Sequence, residues 1–143
     1  MLIGISPLLS PDLLAILYRM GHGDDIVLAD AHYPGASLNK STIRADGIKI
    51  SDLLDAILPL FALDSYVENP VKMMDPVPGD ILDPDVEASY WKVIHKHWPE
   101  TPLIGRIERY AFYDLSKAAF TVVMTGDTAK YGNIILKKGV STV

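Results

Sequence analysis

Apolar and polar positions along this chain recur with two periods, and each period predicts a different element. From Ser10 to Gly21, Leu13, Leu14, Leu17 and Met20 fall on one helical face. Ser10 suits the N-cap, Pro11 the first turn and Asp12 the dipole, while Gly21 supplies a stop. After the Gly21-His22-Gly23 turn comes Ile26-Val27-Leu28-Ala29, too brief for a helix and suited to a buried strand. A second helix is expected from Ser51, with Asp52 in its first turn and Leu53, Leu54, Ile57 and Leu58 as its stripe. Pro59 would kink its C-terminal half. Val71 to Met74 predicts a strand, and Asp83-Pro84-Asp85 opens a helix running to about His97. Further strands are expected at Leu103 to Ile107, Phe120 to Thr125 and Ile134 to Leu136. Ala31 to Lys40 has no period and holds Pro34, Gly35, Ser37 and Asn39, which predicts an irregular loop of the kind that often carries function.

Strands alternating with helices define the α/β class, with helices packed on a central sheet. A length of 143 residues without repeats fits a single compact domain, residues 1–143. The strand order is not readable from the pattern.

Composition narrows the partners. The apolar share of 49% suffices for a core, and the net charge of −5 gives no footprint for nucleic acid or an anionic membrane surface. There is no cysteine, which excludes disulfides, thiolate nucleophiles and Cys-based metal sites. Met1 to Pro7 lacks the basic region and longer apolar core of a signal peptide, and apolar runs fall far short of the ~20 residues of a membrane span. The expectation is a soluble cytoplasmic protein.

Histidine is the side chain that titrates near neutrality. His22 lies between two glycines, where a small ligand has room to approach; a solvated turn histidine is the plain alternative. Asp30 ends the following strand, which spans only ~17 Å, and His32 comes just after it. His22, Asp30 and His32 are types a metal would accept, but no short ligand spacing links them, and His95 and His97 diverge on a helix. Gly21-x-Gly23 begins like a dinucleotide fingerprint, yet position 26 is Ile and the order is helix–turn–strand. Phosphate loops and Gly-x-Ser-x-Gly elbows are missing too. No metal and no cofactor is therefore predicted.

Arg44 has Asp46 as a near partner, and Arg109 precedes Tyr110-Ala111-Phe112-Tyr113, where ring stacking is the dull reading. Arg109, Tyr131 and Asn133 belong to the vocabulary of sugar sites, though Lys130-Tyr131-Gly132-Asn133 is equally explained as a turn.

Several ordered blocks carry a resemblance. They are Ile5-Ser6-Pro7-Leu8-Leu9-Ser10-Pro11, Met20-Gly21-His22-Gly23-Asp24, Asp30-Ala31-His32-Tyr33-Pro34 and Ile43-Arg44-Ala45-Asp46-Gly47. Ser51-Asp52-Leu53-Leu54, Pro59-Leu60-Phe61, Leu63-Asp64-Ser65-Tyr66, Arg109 to Tyr113 and Ala129 to Gly139 follow. Nearly end to end, the chain resembles the fucose-mutarotase branch of the RbsD/FucU family, which also contains ribose pyranases. Asn69 to Pro102 carries fewer of its landmarks.

The resemblance implies an RbsD-like fold and an isomerase of the carbohydrate racemase and epimerase class, which interconverts the α and β anomers of L-fucose without a cofactor. It implies His22 as proton donor, Asp30 and Arg109 as substrate-binding residues, and Tyr131, Gly132 and Asn133 as completing the pocket. Ribose pyranases typically have histidine where Arg109 stands. A homo-oligomer is also implied, a ring or decamer with the pocket near a subunit boundary. Pyranose–furanose interconversion of ribose is the alternative within this chemistry, and a sugar-binding module without turnover the alternative outside it. Only turnover requires a titrating group at His22.

Overall fold

In the computed structural model, which describes residues 1–142, the Ser10 hydroxyl accepts the Leu13 amide and opens α1, Pro11–Arg19. That bond satisfies one of the amides a helix start leaves open. Leu13, Ile16 and Leu17 form the buried stripe. The stop differs from expectation. Met20 itself turns the chain out in an extended conformation, and the left-handed residue is Gly23, at φ +86°, rather than Gly21.

The remaining elements are β1 Asp25–Ala29, α2 Gly35–Leu38, β2 Thr42–Ala45, α3 Ile50–Ile57, a 3-10 turn Leu58–Leu60 and β3 Val71–Met74. They continue with α4 Pro84–His97, β4 Gly105–Ile107, α5 Arg109–Ala118, β5 Thr121–Thr125 and β6 Ile134–Lys137. The six strands form one sheet in the order β2-β5-β1-β6-β3-β4. β6 runs antiparallel to β1 and β3, and every other pairing is parallel.

Alternate strand residues serve opposite layers. Ile26, Leu28, Met73, Val123, Ile134 and Leu136 pack with α1, α3 and α4 in the larger core. Val27, Ala29, Met74, Val122, Met124 and Ile135 pack against Tyr33 and Phe112 on the α2 and α5 side. Burial on both faces explains why the central strands are unbroken apolar runs. The sheet and its two helical layers make a single domain. No helix among the described residues is long and apolar enough to cross a membrane.

The structure departs from the sequence reading at four further points. The stretch from Ala31 to Lys40 is not wholly irregular, because α2 forms a helical turn within it. Gly35 is needed there: a Cβ would lie 2.5 Å from the Met124 sulfur and 3.0 Å from Val122. Pro59 does not kink a helix, since α3 has ended and the proline sits in the 3-10 turn. Arg109 to Tyr113 is no isolated aromatic cluster but the start of α5. Finally, β2 was not anticipated at all.

This topology sorts the strand ends. The C-termini of β1, β3, β4 and β5 gather at one edge together with the start of β6. The opposite edge holds the start of β1 and the end of β6.

Candidate active site

At the carboxyl-end edge lies a cavity of about 280 Å³, lined among others by Asp30, His32, Tyr33, Met74, Arg109, Tyr131 and Asn133. Open α/β sheets generally bind ligands at this edge. Asp30 directly follows β1, and its backbone amide donates to the Asn133 side-chain oxygen at 2.8 Å. That bond joins residues from opposite ends of the chain. One Asp30 carboxylate oxygen accepts the His32 amide at 2.9 Å. Burial pushes the Asp30 carboxyl up, against the pull of that amide.

Arg109 is brought in by the first turn of α5, which Glu108 caps through the amides of Tyr110 and Ala111 at 2.9 and 3.0 Å. Its guanidinium lies over the Tyr110 ring, 4.6 Å from the centroid, and donates to that hydroxyl at 2.8 Å. Stacking is thus real, but incomplete as an explanation. The Arg109 Nε is buried with no hydrogen-bond partner among the described residues, whereas most buried polar groups are paired.

Tyr131 is the one non-glycine at positive φ among the described residues, at φ 57°. Such a conformation costs on the order of 1–2 kcal/mol and persists where surroundings enforce it. Gly132 follows, buried, its carbonyl accepting the Tyr90 hydroxyl at 2.7 Å. A Cβ on Gly132 would come within 3.0 Å of both that hydroxyl and the Ala129 carbonyl. Gly132 therefore shapes the turn without lining the cavity.

His22 is elsewhere. Its neighbour Gly23 bonds to the Lys138 carbonyl at 2.8 Å, placing the turn at the end of β6, on the far edge of the sheet. β1 separates it from Asp30 by about 17 Å. The His22 Nε2 lies 3.1 Å from an oxygen of Asp64, and the Tyr66 ring is tilted against the imidazole at 5.4 Å. The His22 side chain is 46% exposed and that of Asp64 only 4%. The Tyr66 amide, with His22 adding to it, holds the Asp64 carboxyl below the usual carboxylate range. An ionised carboxylate can only accept, so the proton between them is on Nε2 and Nδ1 is left free.

Five of the six expected residues thus fall at one edge, and His22 does not join them within one chain. His22, Asp30 and His32 do not converge within one chain. Arg44 pairs with Asp46 as its position suggests, at 2.7 Å. Sequence reasoning gave no role to Asp64, Tyr90 or Tyr113. Asp64 did leave a signal, as the acid that closes the otherwise apolar run from Ala56 to Leu63.

Fold and site describe a small α/β protein with a cavity at one edge, lined by Asp30, Arg109, Tyr131 and Asn133 among apolar side chains, and a histidine–aspartate pair at the other. Residues 3–141 match the model of the RbsD / FucU transport protein family. An L-fucose mutarotase of Glaesserella parasuis is 58% identical over 143 residues, covering 100% of this chain and 98% of that one. A fucose mutarotase from Streptococcus pneumoniae, solved in complex with L-fucose, superposes with a TM-score of 0.94 at 48% identity, covering 99% of this chain and 100% of that one. RbsD of Bacillus subtilis, complexed with D-ribose, is more distant, with a TM-score of 0.71 and 25% identity over 94% of this chain and 95% of that one. The chain belongs to the RbsD/FucU family.

Proposed function

We propose that this protein is an L-fucose mutarotase, an isomerase that interconverts the α and β anomers by acid–base opening and reclosure of the ring. The kinship is with fucose mutarotases at 58% identity and with the ribose-bound relative at 25%. The observation that carries the chemistry is the pairing of a half-exposed His22 with a buried, ionised Asp64. A module that only binds sugar does not require that pair.

The anomeric hydroxyl loses a proton, the bond from the anomeric carbon to the ring oxygen breaks, and the ring oxygen gains a proton. Rotation of the open aldehyde and the reverse steps give the other anomer. His22 Nδ1 exchanges the proton while Asp64 fixes the tautomer and supports the imidazolium. Positioned acid–base groups contribute typically 10²–10⁴-fold. Asp30, Arg109, Tyr131 and Asn133 hold the hydroxyls.

The two half-sites lie at opposite edges of one sheet, so a working site takes its dyad from one copy and its cavity from the next. The chain accordingly acts as a homo-oligomer, a ring or decamer, in the cytoplasm. A groove of about 600 Å³ lined by Leu60, Phe61, Leu63, Asp64, Trp98 and Val140 offers the neighbour an apolar seat beside the dyad.

Saturation-transfer NMR on L-fucose, D-ribose and D-galactose tests the reading. Fastest anomer exchange on L-fucose is expected. Ribose ring-size exchange outpacing it would move the assignment to the pyranase reaction, and no exchange on any sugar would leave only binding.

A further inference from the structure

The segment joining β3 to α4 makes a tight turn beside the cavity. Pro78 and Gly79 take its central positions, Gly79 at φ +88°, and the Asp80 amide closes it on the Val77 carbonyl at 3.0 Å. Proline followed by a positive-φ glycine is the signature of a type II turn. The turn sets Val77 into the cavity wall and Asp80 beside Tyr131. One Asp80 oxygen lies 2.7 Å from the Tyr131 hydroxyl and 2.8 Å from the Lys130 ammonium, while the other accepts the Ile81 amide at 2.9 Å. Lys130 above all, and Tyr131 after it, hold the Asp80 carboxyl well below the usual carboxylate range. Asp80 can therefore only accept.

A phenol has one proton to give and two lone pairs to offer. The Tyr131 proton is committed to Asp80, and the Val77 amide approaches one lone pair at 3.4 Å. One acceptor position is left, on a side chain that lines the cavity. Resting on the sugar site proposed above, we infer that Asp80 is a positioning residue that fixes Tyr131 as a hydrogen-bond acceptor for a sugar hydroxyl. Asp80 itself does not touch the sugar. Without it the phenol proton is free to rotate, and Tyr131 no longer discriminates a donor from an acceptor.

Calorimetric titration of L-fucose into wild type, Asp80→Ala, Tyr131→Phe and the double variant tests this, with thermal melts to confirm folding. Each single change is expected to raise Kd on the order of 10-fold, as for a lost hydrogen bond. The double variant should lose no more than Tyr131→Phe alone, and Asp80→Asn, which keeps an acceptor oxygen, should recover most of the affinity. A purely structural Asp80 would cost the same in the Tyr131→Phe background. Additive losses, or wild-type Kd for Asp80→Ala, overturn the inference. A second measurement leaves Asp80 untouched: 3-fluorotyrosine at position 131 makes the phenol a better donor and a poorer acceptor. Kd should rise; a fall would mean that Tyr131 donates to the sugar. A wild-type protein that neither binds nor exchanges L-fucose defeats the proposed function along with this inference, whereas fucose exchange with indifferent Asp80 variants defeats this inference alone.

Discussion

Replacing His22 by Ala removes the half-exposed member of the dyad. Anomer exchange should fall about 10²–10⁴-fold with the melting temperature nearly unchanged, because the imidazole is half exposed. Wild-type exchange in that variant would assign the proton to another group. Asp30 makes the opposite trade. Burial raises its carboxyl, so holding it ionised at neutral pH costs folding free energy. That cost disappears below the ordinary carboxylate value of 3.8, where the folded and unfolded states are both protonated. Asp30→Asn should therefore melt higher than wild type at about pH 7 and match it near pH 3, while binding L-fucose about 10- to 150-fold more weakly. Melts at the two pH values, with calorimetry alongside, check both halves; a stabilisation that persists at low pH would exclude charge as its cause.

The elements legible in the sequence are those whose apolar pattern and caps agree. α1 has Ser10 and Pro11 at its start and a clean stripe, and β1 is an apolar run bounded by acids. α5 was hidden for two reasons. Its cap is Glu108, an uncommon N-cap, and a polar Ser116 occupies the core position one turn after Phe112. Tyr33 and the Phe112 carbonyl satisfy that serine, a compensation visible only in three dimensions. β2 is four residues at the sheet edge, too short and too half-buried to alternate clearly. For the site, residue types and the family blocks pointed to Asp30, Arg109 and Asn133, but their meeting depends on β6 lying beside β1 in reverse, which no local pattern encodes. Glu108→Ala should cost about 1 kcal/mol, as for other lost caps, and should also weaken sugar binding by loosening the turn that carries Arg109. Denaturant melts and calorimetry measure the two effects; unchanged affinity would mean that Arg109 is held from elsewhere.

For the whole molecule, a site shared between copies predicts complementation. His22→Ala and Arg109→Gln chains, each impaired alone, should regain activity when unfolded together and reassembled. Random mixing gives about one site in four with both halves intact, so about a quarter of wild-type exchange is expected. No recovery from properly reassembled mixtures would place the whole reaction within one chain. Under the shared-site proposal, exchange should also fall on dilution together with the scattering mass.

The separation of the dyad from the cavity by the length of one strand bears on stoichiometry. In the shared-site arrangement proposed above, copies joined head to tail in an open row of n would complete only n − 1 sites, leaving a bare cavity at one end and an idle dyad at the other. Bending that row until its ends meet would recover the lost site. Closure therefore gains one catalytic centre for no additional protein, a return proportionally largest for the smallest rings.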